Sequence, residues 1–444
     1  MTSESSAHGF ATGPAEHIVA PLSPEDRSIL ALENETVVGH TCKVIVLDGQ
    51  IDADQLRASV ASRLDLAPEL GKRLEIVSGE PCWVPVAALD LDAHVVAREP
   101  NLPVDDAGLR VAVADLFGRR LDRSRPLWRM DVIARLSENR SAVIWRIHHA
   151  LADGTTAMRV ARAVLWDRDV QGETPHSSAL VTQMPTSPPT EPRRSHTMRT
   201  IVREAPRLWH RSPFDGHIGA RRSVAFATAD VHALRRAATA CGGATLNDAV
   251  LTVVAGGLRG WLEAAHGHLG SVRVKVPVSL HGAHAQSSPH EIQPGNRGSF
   301  FCLDLPLGSS DPFERLAAIR RATKSRKDGH DAQRLDALMR ELGRTSPRLR
   351  QFAERALAHP RSFALNVSNV KGPAPTPTVL GLDVRSMYSL AEIRERHALR
   401  VAAMSLGDTI SFGVCADPTL IPDVDTLAEH MQLEAATLAN CPPA

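Results

Sequence analysis

Tyrosine occurs once in this chain of 444 residues, and aromatic residues together make up only 4% of it. That is too few rings to expect an aromatic cage around a ligand. The six cysteines, Cys42, Cys82, Cys241, Cys302, Cys415 and Cys441, lie far apart and form no CxxC pair. The spacing argues against a structural zinc site and a disulfide framework, and it fits a reducing cytoplasm. Charge of one sign is also missing: 51 Lys and Arg against 50 Asp and Glu leave a net charge of +1. Nucleic acid is therefore not an expected partner, and any anionic surface must be met by a local patch. No apolar run approaches the about 20 residues needed to cross a bilayer. The longest mainly apolar stretches, such as Ala249–Leu258, are interrupted by Thr252 and glycines. Met1–His17 holds no basic stretch followed by an apolar run, so no signal peptide is expected. A G-x-S-x-G elbow, a P-loop and a dinucleotide fingerprint are all missing. Neither a metal nor a bound cofactor is expected.

What is present has the size and composition of a folded globular protein. Apolar residues make up 43% and charged residues 23%. The length calls for two or three domains at roughly 100–200 residues each. Residues 1–20 read as a flexible tail and 21–168 as a first domain. Residues 169–211 read as a Pro- and Ser-rich linker that ends in a basic segment, and 212–444 as a second domain. Strands are predicted at His40–Leu47, Met130–Ala134, Ala142–Ile147 and Val272–Val278, and regular pattern resumes after the linker at Arg222–Thr228. A hairpin is predicted over Leu399–Leu406 and Thr409–Cys415, around Gly407-Asp408. Helices are predicted at Ala53–Leu64, Leu109–Leu121, Thr155–Leu165, Asp230–Ala240, Asn247–Ala264 and Val424–Leu438. Strands mixed with helices in both halves imply two α/β domains with mixed sheets and a cleft between them.

One segment carries chemistry. The strand Ala142–Ile147 runs into His148-His149-Ala150-Leu151-Ala152-Asp153-Gly154, with a helix beyond it. Successive side chains in a strand point to opposite faces, so His148 and His149 cannot easily serve one site together. One faces the reaction and the other holds structure. A neutral imidazole at a strand end that opens into a cleft suits a general base, with a reference pKa of about 6.5. Asp153 can cap the next helix or receive an arginine, and Gly154 permits the turn into it. Without a serine elbow, direct attack by an acceptor is the simplest mechanism. A lone histidine at a strand end is more often a packed or solvated residue, so the context of the motif matters.

That context is a series of segments in order: Leu22-Ser23-Pro24-Glu25-Asp26, Pro126-Leu127-Trp128, Thr245-Leu246-Asn247-Asp248-Ala249, Val276-Pro277-Val278-Ser279, Gly295-Asn296 and Asn366-Val367-Ser368-Asn369-Val370-Lys371-Gly372-Pro373. With the HHxxxDG segment, these resemble the bacterial wax ester synthase/diacylglycerol acyltransferases over nearly the whole chain. That family belongs to a wider superfamily of CoA-dependent acyltransferases and peptide-synthetase condensation domains. The resemblance implies two chloramphenicol-acetyltransferase-like α/β domains with an interdomain active-site channel. It implies acyl-CoA as co-substrate and a hydroxylated lipid acceptor, diacylglycerol or a long-chain alcohol. His149 would take the acceptor proton, and Asp153 would be structural and paired with an arginine, for which Arg273 is the candidate. Two departures from the family pattern stand out: Lys275 replaces an apolar residue before Val276, and His281-Gly282 follows where an arginine is expected.

The other segments keep two readings each. Pro126-Leu127-Trp128 reads as a packing corner. Asn247 and Asp248 suit a helix N-cap or a functional pair. Ser368 and Asn369 can donate to an oxyanion or close a turn before Gly372-Pro373. Residues 193–211 hold six arginines interleaved with Met198, Ile201, Val202, Leu208 and Trp209, and Pro206 interrupts any helix there. The stretch reads either as a solvated connector or as a peripheral contact with an anionic membrane face or a lipid droplet. The expected location is the cytoplasm. Two other functions remain: condensation with a carrier-protein-bound acyl donor, and non-catalytic lipid binding on the same fold.

Overall fold

The computed structural model describes residues 19–98, 103–167, 203–204, 212–267, 270–279 and 298–440. In its first half the strands are β1 (Ala20–Pro21), β2 (His40–Asp48), β3 (Lys72–Val77), β4 (Glu80–Pro85), β5 (Val95–Arg98), β6 (Trp128–Leu136) and β7 (Arg140–His148). The helices there are α1 (Pro24–Ala31), α2 (Ala53–Ala61), α3 (Leu91–His94), α4 (Asp106–Phe117) and α5 (Gly154–Val164). The second half has β8 (Ser223–Asp230), β9 (Ser271–Ser279), β10 (Gly298–Pro306), β11 (Leu365–Val370), β12 (Thr378–Val379), β13 (Leu382–Ala391), β14 (Leu399–Leu406) and β15 (Thr409–Ala416). Its helices are α6 (Val231–Ala240), α7 (Leu246–His266), α8 (Pro312–Asp328), α9 (Asp331–Thr345), α10 (Pro347–Leu357) and α11 (Val424–Ala439).

Two six-stranded mixed sheets dominate. One has the order β12-β13-β2-β7-β6-β5 and the other β10-β9-β11-β14-β15-β8; β1, β4 and β3 form a smaller sheet. The two sheets do not divide along the chain at the linker. Strands β12 and β13 come from the second half, yet β13 pairs antiparallel with β2, from Val384–Leu47 to Ala391–Thr41. The second half thus donates a hairpin to the sheet that carries the histidine motif.

Helix α7 is the core of the second half. Thr245 caps it, and Asp248 returns the bond in a capping box. Ala249, Val250, Leu251, Val253, Val254, Ala255, Leu258, Trp261 and Leu262 are all buried. They pack under Val272, Val274, Val276 and Val278 of β9, the alternation visible in the sequence. Helix α5 presents Ala157, Val160, Ala161 and Val164 to the first sheet on one helical face. Helix α4 begins three residues before the position expected, because Asp105 accepts from Gly108 N at 2.7 Å and caps it there.

The sheets meet where β15 crosses β13. A Cβ on Gly413 would collide with the carbonyl oxygen of Ser389, so the crossing requires glycine. Phe226 of β8 stacks on Tyr388 of β13, with ring centroids 4.1 Å apart. Inside the first sheet, buried Lys43 donates to Ser389 Oγ at 2.6 Å. Gly413→Ala is therefore expected to lower unfolding free energy by about 1–3 kcal/mol. Urea denaturation of the variant checks this, and an unchanged midpoint would show that the crossing tolerates a methyl group.

Candidate active site

The site is built at the end of β7. His40 of β2 faces His148 across the ladder. His148 N donates to Leu127 O at 2.9 Å, so the Pro-Leu-Trp corner holds the strand end in place. Trp128 itself is buried, donates to Leu70 O at 2.9 Å and stacks on His94. The next peptide turns away from the ladder: His149 N donates to Gly39 O at 2.9 Å, and Leu151 and Ala152 N both close onto His148 O.

The two histidines separate as strand alternation requires. His148 is buried. Its Nδ1 accepts from Ala150 N at 3.1 Å. A backbone N–H can only donate, so the ring proton sits on Nε2 and is donated to Glu33 Oε1. Arg123 holds the other oxygen of Glu33. Burial pushes the Glu33 carboxyl up, but the bonds and charges of His148 and Arg123 outweigh it and hold the carboxyl below its ordinary range. Gly39 makes room for this pair. Its φ is +73°, and a Cβ there would lie 2.5 Å from His148 Nε2 and 2.7 Å from Glu33 Oε1. Glu33 and Gly39 escaped the sequence reading, since nothing local distinguishes them.

His149 is half-buried, and its Nδ1 is buried against the protein. Burial lowers its pKa to about 4, and the positive charges of Arg400 and Arg394 act in the same direction. The imidazole is unprotonated at neutral pH, which is the form a base requires.

Asp153 caps α5 by accepting from Thr156 N at 2.7 Å. The expected pairing with Arg273 is not found. Arg273 lies in β9, fully buried, where it donates to Ser362 O at 2.7 Å and to Arg203 O. Asp304, at 3.7 Å, and Glu204 are its acidic neighbours. The charge of Asp153 acts on Lys43, which burial lowers to about 8. Gly154 packs against the second half: a Cβ there would sit 3.2 Å from Val370 Cγ2.

That contact brings β11 to the motif. Ser368 and Asn369 lie inside this strand and close no turn. They point to opposite faces. Asn369 Nδ2 donates to Asn247 Oδ1 at 3.4 Å, on the side of α7. Asp248 accepts from Thr245 N and from Thr323 Oγ1, joining α7 to α8. Asn247, Asp248 and Asn369 therefore lie behind the sheet. Ser368 shares the opposite face with Asn366 and Val370 and so looks toward the motif.

The cleft is positively charged. Lys275 of β9 lies 3.7 Å from the Phe300 ring centroid, and burial with the charges of Arg394 and Arg400 lowers it to about 8. Burial and Arg394 bring Arg400 down to about 10. Glu392 is raised to about 7 by burial, although Arg222 pairs with it at 2.8 Å. Among the described residues no cluster of three or more His, Cys, Asp or Glu is placed to hold a metal. No helix among them is long and apolar enough to cross a membrane. Gly295, Asn296 and most of the basic stretch 193–211 lie outside the described residues. Of that stretch, Arg203 pairs with Asp331 at 3.0 Å, and buried Glu204 bonds Cys302 N and Arg326.

The arrangement makes Glu33 a support of the motif rather than a surface charge. Glu33→Ala should cut kcat about tenfold or more and cost about 1–3 kcal/mol of stability. Asp115→Ala, which breaks only an exposed pair with Arg119, should change neither by a measurable amount. Steady-state kinetics beside urea melts checks both, and equal kcat in the two variants would remove Glu33 from the account.

Comparison with known proteins agrees with this geometry. The profile of the wax ester synthase/diacylglycerol acyltransferase catalytic domain matches residues 22–210, and that of the WS/DGAT C-terminal domain matches 294–438. The "Probable diacyglycerol O-acyltransferase tgs1" of Mycobacterium tuberculosis (strain ATCC 25618 / H37Rv) is 27% identical over 419 residues, covering 87% of this chain and 88% of its own. The wax ester synthase/diacylglycerol acyltransferase from Marinobacter aquaeolei VT8 superposes with a TM-score of 0.69 at 22% identity, over 94% of this chain and 98% of its own. The first condensation domain of the CDA synthetase shares the fold, with a TM-score of 0.60 at 16% identity, over 96% of this chain and 97% of its own. The two expected α/β units with mixed sheets are this fold. With both halves matched by the two domains in order, the chain belongs to the wax ester synthase/diacylglycerol acyltransferase family.

Proposed function

We propose that this acyltransferase moves an acyl group from acyl-CoA to the hydroxyl of a lipid acceptor, with His149 as general base. The observation that carries the reading is the placement of His149, half-buried just beyond β7 on a loop fixed by His148, Glu33 and Gly39. His149 Nε2 takes the hydroxyl proton as the acceptor oxygen attacks the thioester carbonyl. The C–S bond then breaks, and the imidazolium returns the proton to the departing thiolate. Ser368 is the side chain on the cleft face of β11 suited to donate to the oxyanion. The route uses only the two substrates and needs no cofactor. The relatives' names point to diacylglycerol or a long-chain alcohol as the acceptor class, giving triacylglycerol or wax ester.

His149→Ala should abolish acceptor-dependent CoA release from palmitoyl-CoA while the melting temperature stays put. Acceptor-dependent release that survives in the variant would remove His149 from its role. The pH profile is a second check. Only unprotonated His149 can accept the proton, so protonation removes activity as the pH falls through its folded value of about 4. The profile of kcat/KM should stay level between about pH 5 and 8. A falling limb centred near the ordinary histidine value of about 6.5 would show that burial and the two arginines do not set its basicity.

A further inference from the structure

A neutral acceptor gives the cations of the cleft no partner. Strand register sets three polar side chains in one row. Asn366 of β11 lies opposite Lys275 of β9 on one side and Arg400 of β14 on the other. Residues directly opposite across a ladder share a face, so the three side chains stand side by side. The face is the one that carries Val370, the contact of Gly154, four residues or about 13 Å along β11. Arg394 lies between β13 and β14, and its charge acts on Lys275 and Arg400. The charges of Arg394 and Arg400 also act on His149.

Among the described residues no carboxylate is bonded directly to Lys275 or Arg400, and the hydrogen bond recorded for the Arg400 guanidinium goes to the backbone oxygen of Glu392. Two carboxylates act on the group from nearby, and both are engaged: Glu392 with Arg222, and Glu204 with Arg326. Asn366 Oδ1 is buried with no partner among the described residues. Half-buried cations with no carboxylate bonded to them are costly unless an anion completes the site. The phosphates of CoA are a second source of anionic groups, and because acyl-CoA is common to every arm of the test below, a ratio between charged and neutral acceptors isolates the acceptor's own charge.

We propose that Lys275, Arg400 and Arg394 bind an anionic group of the acyl acceptor, so that the acceptor carries a carboxylate or phosphate close to the hydroxyl it acylates. This rests on the acyl-transfer reading and narrows it, because diacylglycerol and fatty alcohols have no such group. Lys275 also marks a sequence departure from the family, which fits a change of acceptor.

The test pairs each anionic acceptor with a neutral counterpart, using the full chain and palmitoyl-CoA. One pair is 3-hydroxydodecanoate and its methyl ester; the other is 1-lauroylglycerol 3-phosphate and 1-lauroylglycerol. The kcat/KM for one anionic acceptor should exceed that of its neutral partner about tenfold or more. Which pair shows the ratio tells carboxylate from phosphate. Lys275→Met and Arg400→Gln should bring the ratio toward one. Should either variant fail to fold, dodecanoate should inhibit the wild type about tenfold more strongly than dodecanol. Ratios near one for both wild-type pairs overturn the proposal and leave acyl transfer standing. An equal loss for charged and neutral acceptors in Lys275→Met also overturns it, because the lysine would then serve the oxyanion. If no acceptor releases CoA, the acyl-transfer reading fails, and thermal melting decides the rest. Stabilisation by the carboxylate or the lysophosphate but not its neutral partner, lost in Lys275→Met, supports the anion site; equal shifts overturn it.

Discussion

The site depends on the pairing of β13 with β2. Strand β2 delivers Gly39 and His40 to the end of β7, and β13 on its other edge carries Ser389, which receives Lys43 and lies under Gly413. One strand thus belongs to the sheet that carries the histidine motif and touches the sheet that holds Ser368, Lys275 and Arg400. Side chains on the two sheets keep their spacing only if the sheets cannot slide.

Electrostatics divides the motif's neighbourhood into two unlike regions. Behind β7, His148, Glu33 and Arg123 form a closed chain in which every charge has a partner, as buried networks require. In front, burial lowers the basicity of His149, and the charges of Arg400 and Arg394 act in the same direction. Two adjacent histidines in one strand end therefore experience opposite fields. The first is buried and bonded to Glu33; the second is half-buried, and burial and the two arginines lower its pKa.

Much of the fold was legible in the sequence, because it was written in local periodicity. The alternation of Val272–Val278, the strands Met130–Ala134 and Ala142–Ile147 and the Gly407 hairpin all stand where the pattern placed them. The site was legible at His148 and His149 for the same reason: alternation along one strand assigns them different jobs. The rest depends on partners distant in the chain. The pairing of β13 with β2 joins residues more than 300 apart, and no local rule names the sheet a strand will enter. Glu33 looks like any acidic loop residue until folding sets it against His148. Asp153 illustrates the opposite failure: the motif suggested an arginine partner, but the carboxylate is spent on the α5 cap and Arg273 is enclosed by Ser362 and Arg203. Lys275 was noticeable as an odd residue, but its meaning needed the register that sets it beside Asn366 and Arg400.

The crossing at Gly413 also bears on motion. Parting the two sheets like a clamp would strip the β13–β2 ladder and pull β15 off Ser389, giving up several backbone hydrogen bonds at once. Relative motion of the two sheets is therefore costly at this crossing, and rearrangement near the histidine motif falls to side chains rather than to separation of the halves.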